Sequence, residues 1–152
     1  MAKKERKTKR VALSESIQRG NYVYSNGQIY ELTTVYRNQA FGVPIDGKKG
    51  LWIKSEDIKP IPLFIKLFLR IGAEDNDLKM SGYRWLEHTI PNLGYNVRIA
   101  VPKRENEKWR LTLSCVAPST LIIREIQYLH EYQNFYREIA QSEIKLCGNT
   151  KS

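Results

Sequence analysis

Two histidines, two cysteines and one short acidic run are the residues of this chain best suited to catalysis or metal binding. Catalysis needs groups with matched roles brought together. His88 and His130 fall in different predicted elements, with no cysteine or carboxylate at metal-ligand spacing around either. His88 follows Glu87, but adjacent residues on a helix or strand do not share a face. His130 has Gln133 and Asn134 as its i+3 and i+4 neighbours, so the three form a polar ridge beside an apolar stripe. Such a ridge is the pattern of a hydrogen-bonded packing histidine. Cys115 and Cys147 are singletons, which argues against a structural zinc. Cys115 falls inward on a predicted strand, where a small buried apolar residue is the default. Glu74, Asp75 and Asp77 lack the spaced oxygen ligands and closing bidentate glutamate of a calcium loop. Asp46-Gly47-Lys48-Lys49-Gly50 has glycines around lysines, but Leu51 opens a strand where a phosphate loop would open a helix. No enzyme, cofactor or metal is expected from these residues.

Binding chemistry is better represented. The net charge is +9, and Lys3, Lys4, Arg6, Lys7, Lys9 and Arg10 against Glu5 place +5 of it in the first ten residues. A basic arm favours polyanions, nucleic acid first among them, by counterion release. It reads equally as a solubilising terminus. Arg37, Lys48, Lys49 and Lys54 lie near predicted strand ends among Tyr22, Tyr24, Tyr30, Tyr36, Phe41 and Trp52. Exposed aromatics with adjacent cations suit nucleic-acid stacking. The competing reading is that these rings fill a small core.

The elements that would position these residues follow from pattern. Residues 1–18 read as a disordered basic tail and linker, with too little apolar surface to offset ordering. Residues 21–25, 28–37, 41–45 and 51–54 read as short strands. Asn26-Gly27 is a two-residue hairpin turn, and Asp46-Gly47 another. Four short strands with tight turns predict an SH3-like β-barrel over 19–62. Ser55 to Ile58 looks like one helical turn.

Residues 63–147 read as an α+β lobe, giving an α+β fold overall. Leu63 to Ile71 predicts a buried helix ended at Gly72. Glu74 to Asp77 reads as an acidic loop, and Tyr83 to Thr89 as either a helical turn or a strand. Val97, Ile99 and Val101 face Trp109, Leu111, Leu113 and Cys115 in an antiparallel hairpin. Ile126, Leu129, Tyr132, Tyr136 and Ile139 recur at spacings of three and four, predicting a long closing helix. Residues 148–152 read as a disordered end. The basic start runs into Val11-Ala12-Leu13-Ser14-Glu15-Ser16, without the apolar core of a secretory leader. No stretch has the length and apolarity of a membrane span, and two cysteines fit a reducing cytoplasm.

Three ordered segments, Gly20–Val35 with its Asn26-Gly27 turn, Ser55–Leu63 with Asp57-Ile58-Lys59-Pro60-Ile61-Pro62-Leu63, and Tyr128–Leu146 with Leu129-His130 and Gln133-Asn134-Phe135-Tyr136, carry a resemblance. Together they resemble a group of small uncharacterised proteins of Bacteroidetes genomes and their phages or prophages. The resemblance spans roughly residues 19 to 146, and departs in the basic tail and in Tyr132, where the group usually has leucine. It implies a phage or mobile-element accessory protein in the cytoplasm of a bacterial host cell, and the missing catalytic constellation makes a non-enzymatic role the expectation. Charge then favours nucleic acid as partner, bound through the tail and barrel loops. The alternative is a bacterial host protein, with this chain modulating a host enzyme or defence complex.

Overall fold

The computed structural model describes residues 16–80, 82–91, 94–114 and 123–146. They divide into two compact units, one of residues 16–61 with 129–134, the other of residues 62–128 with 135–146.

In the first unit, β1 (Tyr22–Ser25), β2 (Gln28–Val35), β3 (Gln39–Pro44) and β4 (Leu51–Lys54) form an antiparallel sheet in that order. The β1–β2 turn is the predicted one. Asn26 and Gly27 take φ of 48° and 78°, and Ser25 faces Gln28 across the two-residue loop. Both positive angles suit the primed hairpin turn, whose twist matches that of the strands. Val23, Tyr30, Leu32, Ala40 and Ile53 point to one side and pack with Ile17 and Ile58 as a core. A 3₁₀ turn, Ser55–Asp57, follows β4.

The expected barrel is corrected here. Pairing runs only β1-β2-β3-β4, and among the described residues β1 and β4 do not join. The outer edge of β1 meets a single bridge, Tyr24 to Lys59, with reciprocal backbone hydrogen bonds of 2.9 Å. Strand count and turn spacing cannot distinguish an open sheet from a closed one, because both present the same alternation.

In the second unit, β5 (Glu74–Met80), β6 (Tyr83–Thr89), β7 (Asn96–Ala100), β8 (Trp109–Leu113) and β9 (Arg124–Ile126) make a second antiparallel sheet, again in chain order. The β7–β8 register pairs Val97 with Leu113 and Ile99 with Leu111, as the alternation predicts. Helix α1 (Ile65–Arg70) precedes the sheet. It ends in a Schellman closure: Gly72 at φ 106° donates to Leu69, and Ala73 donates to Phe68 at 3.0 Å. A side chain at that φ is strained, so glycine suits the position.

The expected α-β-β-α lobe is corrected too, since this unit is dominated by five strands and the fold is mostly β. The acidic segment forms β5, opposite β6 with a register shift between Glu74 and Leu78. Asp75 is bonded by the Arg84 guanidinium across the pair, and Asn76 donates to Glu87 at 3.3 Å. Cross-strand partners of this kind offset the low strand propensity of acidic residues. Residues 124–126 pair with β8 as a strand, so helix α2 begins only at Leu129 and runs to Ala140. Among the described residues no helix is long and apolar enough to cross a membrane.

Candidate nucleic-acid interface

The period-2 alternation of β4 sends Ile53 into the core and leaves Trp52 on the opposite, outer face of the first sheet. Trp52 is directly opposite Phe41, and the next same-face pair is Lys54 with Gln39. The Tyr36 amide donates to Gln39 at 2.8 Å, which anchors Tyr36 at the same end of the sheet. Three rings meet here. Tyr36 stacks on Trp52 with centroids 5.7 Å apart and planes 10° from parallel, and Phe41 meets Trp52 edge-on at 5.3 Å. Tyr36 is 57% exposed and Trp52 49% exposed. Water-exposed aromatic area of this kind is available to another flat π-system.

Gly50 helps to set the stack. A Cβ there would lie 2.6 Å from Phe41 Cε2, so the Phe41 ring lies closely against bare backbone. The six aromatics of this segment therefore divide. Tyr22 and Tyr30 are buried, Phe41 is half-buried, and Tyr24, Tyr36 and Trp52 are exposed. Core filling holds for the first two; Tyr36 and Trp52 form an exposed stack, while Tyr24 lies beside the β1–β2 turn on the other outer strand.

The basic residues expected to bind nucleic acid divide similarly. Arg37, in the β2–β3 turn next to Tyr36, and Lys54, ending β4, are exposed at the Tyr36–Trp52 end. Lys48 and Lys49 are exposed in the loop before β4, at the strand's other end, about 10 Å away at ~3.3 Å per residue. Lys48 lies 3.9 Å from Asp46 in an exposed ion pair of little energetic weight. Lys3, Lys4, Arg6, Lys7, Lys9 and Arg10 lie outside the described residues. Pattern reasoning placed the cations near strand ends but missed the Tyr36–Trp52 pairing. The signal available was the Leu51-Trp52-Ile53-Lys54 alternation, which sets Trp52 against the core-facing Ile53.

The histidines do structural work. In the first unit, Ser16 Oγ lies 2.8 Å from His130 Nε2. Gln133 accepts from the Tyr22 amide at 2.8 Å and donates to the Gly20 carbonyl at 3.1 Å. Asn134 accepts from Asn21 Nδ2 at 2.9 Å and donates to the Ser16 carbonyl at 2.6 Å. The polar ridge thus holds the backbone leading into β1. Burial lowers the His130 pKa, the nearby Glu131 opposing.

In the second unit, His88 is buried and stacks on Tyr136 at 5.1 Å. Burial pulls its pKa down to about 4, against a hydrogen bond to the Ile71 backbone. It is neutral at physiological pH and packed rather than presented. Cys115 and Cys147 lie outside the described residues. Among the described residues no group of three His, Cys, Asp or Glu is arranged to hold a metal.

A groove of about 480 Å³ in the second unit runs between the entry to α1 (Leu63, Phe64, Lys66) and the β7–β8 loop (Pro102, Lys103), with Trp109 also in its lining. Two of its three cations have other engagements: Lys103 Nζ sits 4.8 Å over the Tyr83 ring and Arg104 lies 4.0 Å from Glu107. Neither a family model, nor a curated protein, nor a solved structure matches this chain.

Proposed function

We propose that this protein is a non-enzymatic binder of single-stranded nucleic acid. It uses the outer face of the first sheet, with the basic N-terminal residues adding charge-driven affinity. The observation that carries the reading is the half-exposed Tyr36–Trp52 stack with Arg37 and Lys54 at the same end of the sheet. Stacking on aromatic rings is tolerant of sequence, since every base has a π-face, and flanking cations follow the backbone. This activity fits an accessory protein of a phage or mobile element acting in a bacterial cytoplasm, the setting the resemblance implies.

Fluorescence anisotropy with short single-stranded DNA and RNA, at several salt concentrations, tests the reading. Trp52→Ala removes one stacking platform worth ~1–3 kcal/mol per base, which is a loss of roughly 5- to 150-fold in affinity. Arg37→Ala and Lys54→Ala should each flatten the log–log salt slope by about 0.7 per phosphate lost. Binding by the full chain that is unchanged in Trp52→Ala would remove the sheet face from the site and leave the charge alone. No binding of the full chain at low salt would overturn the reading.

A further inference from the structure

We propose that the open edge of β4 pairs with β4 of a second copy of this chain, forming an antiparallel dimer through the first sheet. A sheet edge presents unpaired amides and carbonyls to any passing strand, and proteins protect such edges with charge, bulges, brevity or cover. Among the described residues, three of the four sheet edges carry such protection. The β1 edge is taken up by the Tyr24–Lys59 bridge and by the Gln133 side chain on Tyr22 and Gly20. The β5 edge is acidic and irregular, with Asp77 at φ 59° and a register shift. The β9 edge is three residues long and carries Arg124 and Glu125.

The β4 edge is short too, four residues ending in Lys54, but it is regular and carries a single charge. It ends the β1-β2-β3-β4 order, and among the described residues no bridge covers it. Apolar area stays exposed on both faces beside it: Leu51 is 44% exposed and Trp52 49% exposed. The flanking charges say which partner fits. Lys48-Lys49 precede the strand and Glu56-Asp57 follow it. Antiparallel pairing about a two-fold axis brings the start of each β4 to the end of the other. Each lysine pair then meets the partner's acidic pair at both ends of the interface, so the segment is self-complementary. A polyanion would match only half of this pattern. With the axis perpendicular to the sheet, both Tyr36–Trp52 stacks stay on one continuous face. Pairing needs no ligand, so the inference stands apart from nucleic-acid binding.

The test is sedimentation equilibrium of the nuclease-treated full chain over a wide concentration range, beside charge variants shown to be folded by circular dichroism. A four-residue ladder makes a small interface, so a weak, concentration-dependent monomer–dimer equilibrium is expected. Glu56→Lys with Asp57→Lys makes both flanks basic, and Lys48→Glu with Lys49→Glu makes both acidic. Each variant alone should dissociate at least tenfold more readily. Mixing the two should yield a heterodimer, and a chain carrying all four changes should dimerise again. A wild-type chain that stays monomeric at every concentration overturns the proposal. So does dimerisation of either charge variant at wild-type strength, or failure of the mixture and the fourfold variant to recover it.

Discussion

Gln133 is the side chain whose replacement most directly tests how α2 supports the first sheet. It is 1% exposed, and its amide makes two backbone hydrogen bonds, accepting from Tyr22 at 2.8 Å and donating to Gly20 at 3.1 Å. In effect it acts as a neighbouring strand for one residue pair on the β1 edge. Gln133→Met keeps the length and most of the volume while deleting both bonds. A buried backbone group that loses its partner costs ~1–3 kcal/mol, and the gain from burying an apolar side chain offsets part of that. The net expectation is a loss of about 2–4 kcal/mol. Against a typical urea slope of ~1–3 kcal/mol per molar, the midpoint should fall by roughly 1–2 M with the slope unchanged. Tryptophan fluorescence and circular dichroism would follow the transition. Gln133→Glu separates the two bonds. Its carboxylate still accepts from Tyr22 but cannot donate to Gly20, and protonation restores a donor. The Glu variant should therefore recover stability as pH falls, the mark of a carboxyl whose folded pKa is raised. A Gln133→Met midpoint within about 0.3 M of wild type would refute the reasoning, since it would mean water replaces both bonds at no cost.

His88 predicts a pH dependence of the opposite sign. Its folded pKa of about 4 lies below the ordinary 6.5, so between those values the unfolded chain takes up a proton that the folded chain refuses. Stability is full above pH 6.5 and falls by roughly 3 kcal/mol as pH drops to 4, with His130 adding a loss in the same direction. Urea unfolding at pH 7 and pH 4.5 measures it, and His88→Phe should flatten the profile; an unaltered profile would place the titration elsewhere. Gly50→Ala tests the aromatic stack without altering a charge. The new Cβ would crowd the Phe41 ring and disturb its contact with Trp52, so single-strand affinity should fall several-fold with an unchanged salt slope.

What pattern reasoning reached, and what it missed, follows from how local each feature is. The Asn26-Gly27 turn, the Gly72 helix end and the β7–β8 register were legible because each depends on a few neighbouring residues. The ridge of His130, Gln133 and Asn134 was visible on α2, but its partners lie more than a hundred positions away in sequence, at Ser16, Gly20, Asn21 and Tyr22. No local signal names them. Local pattern makes β5 a loop, because acidic residues are depleted in strands. That preference is overridden by Arg84 and by the Asn76–Glu87 bond, both supplied from the pairing itself. Sheet closure was likewise beyond local reading, since alternation records which residues face inward but not which strands meet.

The candidate site falls between these cases. Alternation in β4 is enough to set Trp52 opposite to Ile53, so an outward tryptophan was available from four residues. That Tyr36 stacks on it depends on the turn that bonds Tyr36 to Gln39, a contact set by the β2–β3 register. The stacked rings lie at the Arg37 and Lys54 end of β4, while Lys48 and Lys49 occupy the other end, beside an edge with which no described strand or bridge pairs. This separation divides the labour among the cations. On the proposed function, Arg37 and Lys54 would follow a backbone whose bases stack on Tyr36 and Trp52. On the proposed dimer, Lys48 and Lys49 would meet Glu56 and Asp57 of a second copy. Neutralising one pair should therefore change affinity for single strands and the other pair self-association, and the two effects are separable in the same set of proteins.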